Sequence, residues 1–475
     1  MAGKVVLVGA GPGGAALLTL KGRHELERAE VVVYDRLVDE EILRMIPDTA
    51  ERIDVGKNVA NHPVPQPQIN RILLDKALEG RRVVRLKGGD CFVFGRGGEE
   101  LELLAEHGVP FEVVPGITSA LAAPAYAGIP ATHRDFCASV HVITGHRRSN
   151  ESLELDYEAL VRLRGTLIFL MSVATFGEIA QGLMQAGLDA DFPCAIVENG
   201  ARPEQRKYLT TIGDAAQCVE REGVRSPAIF VVGRVCELSP AMDWFDALPL
   251  KGLKVWAARP RKDSARLSTL LSERGARVEQ LPPPAVESLC FALPAPGETV
   301  LLPVDEAVDA LFAALNRAGL DARALAGCRL ACCADAARAL EKRGLHPDFC
   351  CSGRGAQALA EEACAAAAVL LCREDEAQSL AQALPDVGVR AAWRILPPKP
   401  LEVLPDRADW IAFPTASCVE HFARAAAGHD LSGLRAACIG PCTAEAAHRL
   451  GLQVFQSQQP TLESLADLLA SLRNG

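Results

Sequence analysis

The chain has 475 residues, too many for a single hydrophobic core, so we expect roughly three to four compact units. Its composition, 49% hydrophobic and 23% charged, is typical of a soluble globular protein and excludes a disordered one. A net charge of −10 argues against a nucleic-acid binder, because the overall field repels polyanions. Any anionic ligand must therefore meet a local basic cluster.

Apolar runs and cysteines indicate the compartment in which the protein works. No apolar run reaches the length of about eighteen residues that a membrane helix needs, and glycines interrupt the N-terminal "MAGKVVLVGAGPGG". We expect no membrane partner and a cytoplasmic location. The sixteen cysteines fit that compartment as free thiols. They contain no CxxC pair, and no histidines follow at zinc-ligand spacing, so no metal is expected.

The N-terminal half alternates short β-branched runs with helical stretches such as "PQINRILLDKALEG". The runs that we interpret as strands are "KVVLVGAG", "AEVVVYD", "RRVVRLKGGD", "SVHVITGH", "GTLIFLMS" and "PAIFVVGRV". Each stops at a glycine or a polar residue. This alternation predicts an α/β fold with functional loops at the carboxyl ends of the strands.

A domain boundary is predicted at "SPAMDWFDALPLKGL", residues 239–253, which carries two prolines and no clear period. A new strand, "KVWAARP", follows it. We therefore predict one domain over 1–240, a linker over 241–253 and a second domain over 254–475.

The second domain contains a weak internal repeat. The segment "CRLACCADAARALEKRGL" from residue 328 resembles "LRAACIGPCTAEAAHRLGL" from residue 434. A related pair precedes them, "TVLLPVDEAVDALF" from residue 299 and "DWIAFPTASCVEHF" from residue 409. The repeat predicts two similar α/β lobes, with a ligand in the cleft between them.

A glycine motif near the N-terminus suggests a first function. Gly9, Gly11 and Gly14 form a literal GxGxxG after the first predicted strand, and Asp35 ends the next strand. Dinucleotide-binding folds place their ribose-binding acid there, which favours an NAD-dependent oxidoreductase. Pro12 weakens this interpretation, because it removes a backbone N–H from the turn that would bind pyrophosphate. A steric requirement for glycine in a tight turn explains the same residues, and both alternatives stay open.

The wider context resembles the tetrapyrrole methylase family, and within it the uroporphyrinogen-III C-methyltransferases, over roughly residues 3–240. The motifs that carry the resemblance, in order, are "VGAGPGG", "LVDEEIL", "RLKGGD", "FGRGGEE", "VVPGITSA", "AGIPATHRD" and "SPAIFVVGRV". The resemblance implies a two-lobed fold, S-adenosyl-L-methionine as cofactor, and two methyl transfers that convert uroporphyrinogen III to precorrin-2. It also implies a homodimer.

The resemblance assigns roles to residues of these motifs. The donor S-adenosyl-L-methionine is implied to contact Pro12, Gly88, Gly89, Asp90, Thr118, Ser119 and Met171. Arg96 with Glu99 is implied to assist pyrrole deprotonation, and Arg134 to orient the acceptor, whose carboxylates suit guanidinium groups. An exposed ion pair is the alternative for Arg96 and Glu99, and core packing for Met171.

The chain departs from the usual family motifs at Gly14, at Cys91 and at "LMS", residues 170–172, where the family usually has "YMG". Gly14 stands where the family has an aspartate, and this removes a carboxylate from the turn. Cys91 stands where proline is usual, which lifts a backbone restriction. We expect these departures to affect rate or affinity more than the class of reaction.

The second domain resembles uroporphyrinogen-III synthase, which cyclises hydroxymethylbilane to uroporphyrinogen III. The motifs are "AWRILPP", "AFPTASCVEHF" and "IGPCTAEAAHRLGL". The resemblance implies that Thr415, Ser417 and Thr443 bind substrate carboxylates, and helix capping is the alternative for all three. Trp393 replaces a usual tyrosine, and "PVDEAV" replaces a threonine-serine pair with acidic residues. A degenerate domain that has lost synthase activity therefore remains the alternative.

Overall fold

The computed structural model describes residues 3–56, 64–145, 155–259, 266–353, 355–363, 367–401, 403–407 and 409–473. The chain divides into two compact units. The first unit comprises Met1–Gly252 with Arg274–Arg277, and the second comprises Leu253–Glu273 with Val278–Gly475. None of the helices in these described ranges is long and apolar enough to cross a membrane.

The first lobe of the first unit is a parallel sheet covered by helices. Its strands are β1 (Lys4–Gly9), β2 (Val31–Tyr34), β3 (Glu51–Asp54), β4 (Arg82–Lys87) and β5 (Phe111–Val114). Its helices are α1 (Leu20–Glu27), α2 (Glu40–Leu43), α3 (Gln66–Leu78), α4 (Gly97–Glu106) and α5 (Ser119–Tyr126). The strand order is β3-β2-β4-β1-β5, so that β1 and β4 are central and buried on both faces.

The second lobe of this unit is a mixed sheet. Its strands are β6 (Val140–Thr144), β7 (Thr166–Leu170), β8 (Pro193–Glu198), β9 (Arg206–Thr211) and β10 (Ala228–Val232), and its helices are α6 (Tyr157–Arg162), α7 (Phe176–Gln185) and α8 (Ala215–Glu222). The order is β6-β7-β10-β8-β9, and β10 runs antiparallel to both of its neighbours. The buried rings of Phe169, Phe176 and Phe230 lie at the centre of its core.

The second unit begins with strands β11 (Lys254–Ala257), β12 (Arg277–Gln280), β13 (Val286–Ser288), β14 (Thr299–Leu302), β15 (Arg329–Cys332) and β16 (Phe349–Cys350), and continues with β17 (Ala368–Arg373), β18 (Gly388–Ile395), β19 (Trp410–Phe413), β20 (Arg435–Cys438) and β21 (Gln453–Gln456). The helices are α9 (Arg266–Glu273), α10 (Asp305–Arg317), α11 (Ala334–Glu341), α12 (Ala356–Ala363), α13 (Ala377–Ala383), α14 (Ala416–Ala425), α15 (Pro441–Arg449) and α16 (Leu462–Arg473).

These strands form two sheets, of order β12-β11-β19-β20-β21 and β13-β18-β17-β14-β15-β16. The predicted repeat corresponds to equivalent elements of the two sheets. In one, β14 pairs in parallel with β15, and each is followed by a helix, α10 or α11. In the other, β19 pairs in parallel with β20, and α14 or α15 follows. The predicted fold class, a two-lobed α/β methylase fold followed by a two-lobed α/β synthase-like fold, is confirmed.

Candidate active site

Three glycines bring the ends of separate segments into backbone contact. Gly9 ends β1, Gly89 follows β4 and Gly116 follows β5. A Cβ at Gly116 would lie 2.2 Å from the carbonyl oxygen of Gly89, and one at Gly9 would lie 2.5 Å from Cα of Gly116. Gly89 itself has φ of +69°, a left-handed conformation that favours glycine. Backbone atoms of Gly9, Gly89 and Gly116 therefore form the surface at the carboxyl ends of these strands, which we call the backbone floor.

The Asp90 carboxylate holds this floor together. Its Oδ1 accepts hydrogen bonds from the backbone N–H groups of Phe92 (2.8 Å) and Val93 (3.1 Å), and its Oδ2 accepts one from Gly116 (3.0 Å). Asp90 thus links the loop after β4 to the loop after β5. Any contact between Asp90 and the methyl donor is additional to this bridging role.

Thr118 and Ser119 lie at the start of α5, beside the loop after β4. Thr118 is the N-cap, and its Oγ1 accepts a hydrogen bond from the Ala120 N–H at 3.3 Å. A Cβ at Gly89 would lie 3.9 Å from the Ser119 nitrogen. The structure therefore brings Gly88, Gly89, Thr118 and Ser119 to one edge of the sheet.

The Pro12 loop is tied to the second lobe by Arg202, which the sequence did not single out. Arg202 Nε donates to the Pro12 carbonyl at 3.2 Å, and its Nη2 donates to the Leu37 carbonyl at 2.7 Å. The neighbouring Ala201 has φ of +64°, and a Cβ at Gly13 would lie 2.4 Å from its carbonyl oxygen. The loop after β8 thus contacts the Pro12 side of the candidate site.

The side chain of Glu41 places a carboxylate beside the Gly14 turn. Glu41 Oε2 accepts a hydrogen bond from the Ala15 N–H at 2.9 Å, and a Cβ at Gly14 would lie 2.5 Å from the same oxygen. The expected loss of a carboxylate at this turn is therefore offset by Glu41. An aspartate at position 14 would clash with Glu41 unless that side chain moved.

Met171 follows β7 at the carboxyl end of the second lobe's sheet. Its side chain is 50% exposed and its φ is +53°, in the left-handed region that non-glycine residues rarely occupy. Such strain concentrates at functional sites. Met171 therefore lies outside the buried core of this lobe.

The loop between β4 and α4 presents charged and apolar side chains to solvent. Arg96 Nε donates to Glu99 Oε1 at 2.9 Å, and its Nη2 donates to Oε2 at 2.6 Å, in a two-pronged pair. These hydrogen bonds are the main cause of the raised pKa of Arg96. Phe92 and Phe94 are exposed beside the pair, and Phe94 has φ of +53°. The loop thus combines an exposed guanidinium with exposed aromatic rings.

Cys91 lies under this loop. The residue is fully buried, and burial raises the pKa of its thiol to about 12. Its carbonyl accepts a hydrogen bond from the Gly97 N–H at 3.1 Å, which closes the loop. Cys91 therefore acts as a small core residue and not as a nucleophile.

Arg134 lies in an exposed turn that a bridge between His133 and Cys137 closes. Within the described residues its side chain makes no hydrogen bond or ion pair. The structure therefore does not join Arg134 to the Arg96–Glu99 pair. Its guanidinium is available for a ligand carboxylate.

A buried charged cluster beneath the site was missed by the sequence interpretation. Glu100 is fully buried, and its Oε1 accepts hydrogen bonds from Arg85 Nε (3.1 Å), Lys87 Nζ (2.9 Å) and Gln66 Nε2 (3.1 Å). Burial, followed by the charge of Arg85, lowers the pKa of Lys87, although Glu100 opposes this. Asp35 lies 3.6 Å from the Arg85 guanidinium. The cluster joins α4 to β4 directly below the glycine loop.

The geometry of the GxGxxG segment disfavours a dinucleotide site. The N–H of Gly11 donates to the Gly89 carbonyl at 3.1 Å, so that it does not face a phosphate. A short 3₁₀ turn, Ala15–Leu17, follows the glycines, and α1 begins later with Thr19 as its N-cap. The glycine turn therefore does not open a long helix, as a pyrophosphate site requires.

In the second unit, the predicted hydroxyl residues lie at the carboxyl ends of two neighbouring parallel strands, β19 and β20. Thr415 is the N-cap of α14; its Oγ1 lies 3.3 Å from the Cys418 nitrogen and 2.9 Å from Ser417 Oγ. The Thr415 side chain therefore caps α14. Thr443 lies in the first turn of α15 and is only 4% exposed. Thr443 is therefore buried at the start of this helix.

The residues that depart from the synthase motifs are mostly buried. Trp393 is 5% exposed and packs in the core of the lobe that contains β14. Asp305 and Glu306 occupy the first turn of α10, where the helix dipole favours acidic groups, and Asp305 is 8% exposed. Trp393 therefore contributes packing, and Asp305 presents little charge to a ligand.

Parallel sheets with polar loops at the carboxyl ends of their strands are the arrangement in which α/β enzymes bind small molecules, and both units have it. Family models match both parts. Residues 4–216 match the tetrapyrrole (corrin/porphyrin) methylases, and residues 265–467 match uroporphyrinogen-III synthase HemD.

Individual proteins similar to this chain include two curated relatives and one solved structure. The porphyrin biosynthesis protein HemD of Ruminiclostridium josui is 42% identical over 100% of this chain and 99% of its own length. Siroheme synthase of Enterobacter sp. (strain 638) is 51% identical over 51% of this chain, and the match spans 52% of that relative. A crystal structure of uroporphyrin-III C-methyl transferase from Thermus thermophilus, complexed with S-adenyl homocysteine, is 40% identical, with a TM-score of 0.42 over 50% of this chain and 99% of that one.

The chain belongs to the tetrapyrrole methylase family in its first part and to the uroporphyrinogen-III synthase family in its second. The predicted class of function, a bifunctional enzyme of tetrapyrrole biosynthesis that joins a methyltransferase to a synthase, is confirmed by the two family models and the full-length HemD relative. The oxidoreductase alternative based on the glycine motif is not supported.

Proposed function

We propose that the first domain methylates uroporphyrinogen III twice to give precorrin-2, and that the second domain supplies this substrate by cyclising hydroxymethylbilane. One chain would then carry two consecutive steps. The observation that carries the proposal is the backbone floor at the carboxyl ends of β1, β4 and β5, where Gly9, Gly89 and Gly116 approach one another too closely for a side chain at Gly9 or Gly116.

For the donor, we propose contacts at the carboxyl-end edge of the first sheet. Gly88, Gly89 and Asp90 would approach S-adenosyl-L-methionine from the β4 side, Thr118 and Ser119 from the α5 side, and Pro12 and Met171 from the facing loops. This donor is an activated sulfonium, so the protein needs only to align sulfur, methyl group and carbon in one line. A floor without side chains permits that close approach.

For the acceptor, we propose that Arg134 binds a carboxylate and that the Arg96–Glu99 pair assists loss of the pyrrole proton. Arg134 is exposed and makes no ion pair within the described part of the chain, which leaves its guanidinium free to take up a carboxylate. Glu99 lies in the first turn of α4, which follows the loop that carries the exposed rings of Phe92 and Phe94.

For the second domain, we propose that Thr415, Ser417 and Thr443 bind carboxylates of the linear substrate. The support is their common position at the ends of β19 and β20, next to the N-termini of α14 and α15. The family resemblance further supports a homodimer in the cytoplasm as the working state.

The test is incubation of the full chain with hydroxymethylbilane and S-adenosyl-L-methionine, with mass detection of products. A doubly methylated product is expected. Uroporphyrinogen III with S-adenosyl-L-methionine tests the methylase alone, and hydroxymethylbilane without the donor tests the synthase alone. Absence of methylation in the second assay would overturn the methylase proposal, and exclusive formation of the non-inverted type I isomer in the third would show a degenerate synthase.

A matched pair of arginine variants tests the acceptor contact. Arg134→Leu is expected to raise KM for uroporphyrinogen III about tenfold or more, which corresponds to loss of a charged hydrogen bond of about 1.5–3 kcal/mol. Arg164→Leu removes another exposed guanidinium that makes no ion pair in the described ranges, and should leave KM unchanged. Equal effects in both variants would contradict a specific role for Arg134.

A further inference from the structure

Two cysteine side chains of the second unit lie in direct contact. Cys333 follows β15 and Cys351 follows β16, and their Sγ atoms are 3.1 Å apart. The two strands are parallel neighbours, with Cys332 opposite Cys350, and the Cys351 N–H donates to the Cys332 carbonyl at 2.9 Å. The sheet register therefore holds the two thiols side by side.

Cys332 and Cys350, the sequence neighbours of this pair, do not share its surroundings. Successive residues of a strand point to opposite faces of a sheet. Cys333 and Cys351 pack in the same cluster as Leu359 and Leu370, whereas Cys332 belongs to the core on the other face. Cys350 is exposed. The contact pair is thus separated from its sequence neighbours by the sheet itself.

We propose that Cys333 and Cys351 are a dithiol modification site that forms a disulfide with a low-molecular-weight disulfide as oxidant. One cysteine thiolate attacks the oxidant, releases one thiol and forms a mixed disulfide. The second cysteine then displaces the other thiol and closes the Cys333–Cys351 bond. Both protein sulfurs are oxidised, the oxidant is reduced to two thiols, and the two cysteine protons leave with them.

Proximity and burial act on different parts of this reaction. The contact gives the second step a high effective concentration of the attacking sulfur. Cys333 and Cys351 are each only 6% exposed, and burial raises the pKa of Cys351 to about 12. The first step is therefore slow at neutral pH and becomes faster as pH rises, because the thiolate is the reacting form.

The bond would join two segments that carry the carboxyl-end edge of this sheet. Cys333 is the N-cap residue of α11, and the Cys351 thiol donates to the Gly353 carbonyl at 3.2 Å in the loop after β16. A disulfide across residues 18 positions apart limits the conformations of the unfolded chain. Oxidised protein should therefore unfold at a higher temperature than reduced protein.

The experiment treats the folded full-length chain with oxidised glutathione at about pH 8.5, near the pKa of an ordinary thiol. After acid quenching and trypsin digestion, mass spectrometry should find the peptides 330–338 and 344–354 joined, with loss of two hydrogen atoms. Each peptide contains two cysteines, so variants are needed to locate the bond. Cys333→Ala and Cys351→Ala should abolish the link, whereas Cys332→Ala and Cys350→Ala should keep it.

Circular dichroism of each variant establishes that it is folded before oxidation. A link that persists in Cys351→Ala, a stable glutathione adduct in place of the link, or unchanged thiols in folded wild-type protein would each overturn the proposal. The Tm of the wild type should rise on oxidation and fall again with dithiothreitol. The Tm of Cys333→Ala and of Cys351→Ala should not rise on oxidation.

Discussion

Glu99 and Glu100 are adjacent in sequence and share the first turn of α4, yet their surroundings differ completely. The Glu99 side chain is 50% exposed and pairs with Arg96, which is exposed to a similar degree. Glu100 is fully buried among Arg85, Lys87 and Gln66. The first carboxylate remains accessible to a ligand, and the second fixes the helix that carries it.

The difference teaches how a polar loop is held in position. An exposed ion pair contributes little to stability because water and salt screen it, so it can be exchanged for contacts with a ligand. Removing the buried Glu100 carboxylate would leave Lys87 without its ion pair and Arg85 with only the Asp35 carboxylate, 3.6 Å away. Function and positioning are therefore divided between neighbouring residues.

The largest effect is expected for Glu100→Ala. The variant leaves Arg85 and Lys87 buried without their carboxylate and should lower the free energy of unfolding by about 3–5 kcal/mol. Chemical denaturation measures this directly. Glu99→Ala is the matched control, with an expected change within about 1 kcal/mol. Equal losses in the two variants would remove the distinction between them.

Arg96→Ala should change stability little and lower activity strongly. Stability should change by less than about 1 kcal/mol, since the pair with Glu99 is exposed. Methylation of uroporphyrinogen III should fall roughly ten- to hundredfold if Arg96 contacts the acceptor through a charged hydrogen bond. Steady-state kinetics alongside thermal unfolding would separate the two effects. Unchanged kcat/KM would assign Arg96 to the surface alone.

Gly89→Ala tests whether backbone conformation or space limits the floor. The alanine Cβ would have room, since its nearest neighbour would be the Ser119 nitrogen at 3.9 Å, but φ of +69° is unfavourable for it. A loss of about 1–2 kcal/mol is expected from denaturation curves. Gly98→Ala, within α4 and with nothing within 4 Å, should instead be neutral or stabilising by up to about 1 kcal/mol. A loss at both positions would contradict the conformational explanation.

The last prediction concerns the reactivity of the Cys91 thiol and involves no change in stability. Its pKa of about 12, raised by burial from 9.0, lowers the thiolate fraction at neutral pH roughly a thousandfold. Iodoacetamide should therefore leave Cys91 unmodified in folded protein while it alkylates exposed Cys442. Peptide mass spectrometry after brief labelling measures both sites. Rapid labelling of Cys91 would show that the loop above it opens readily.

Sequence patterns predicted much of the fold because central strands such as β1, with its run of valines and leucine, are short and apolar. The short polar strand β3 and the antiparallel hairpin of β8 and β9 were missed. Neither has the uniform β-branched pattern of a central parallel strand. Their places depend on strands far away in sequence.

The candidate site was predicted only in part, for a related reason. The motifs identified Asp90 and Arg96, but nothing local shows that Arg85 and Lys87, which alternate with apolar residues, are buried. Such alternation ordinarily indicates a strand with one exposed face. Both charges are covered only because β4 is central, and the signal that remained was Glu100 in the same motif as Glu99.

The two hydrogen bonds of Arg202 have a mechanical consequence. They run from one guanidinium in the second lobe to two carbonyls, of Pro12 and Leu37, in the first. Spreading the lobes apart at this point would break both bonds at once, at a cost of roughly 1.5–3 kcal/mol for each. Arg202 therefore resists separation of the two lobes on the Pro12 side, and the loop after β8 keeps its place against the Pro12 loop.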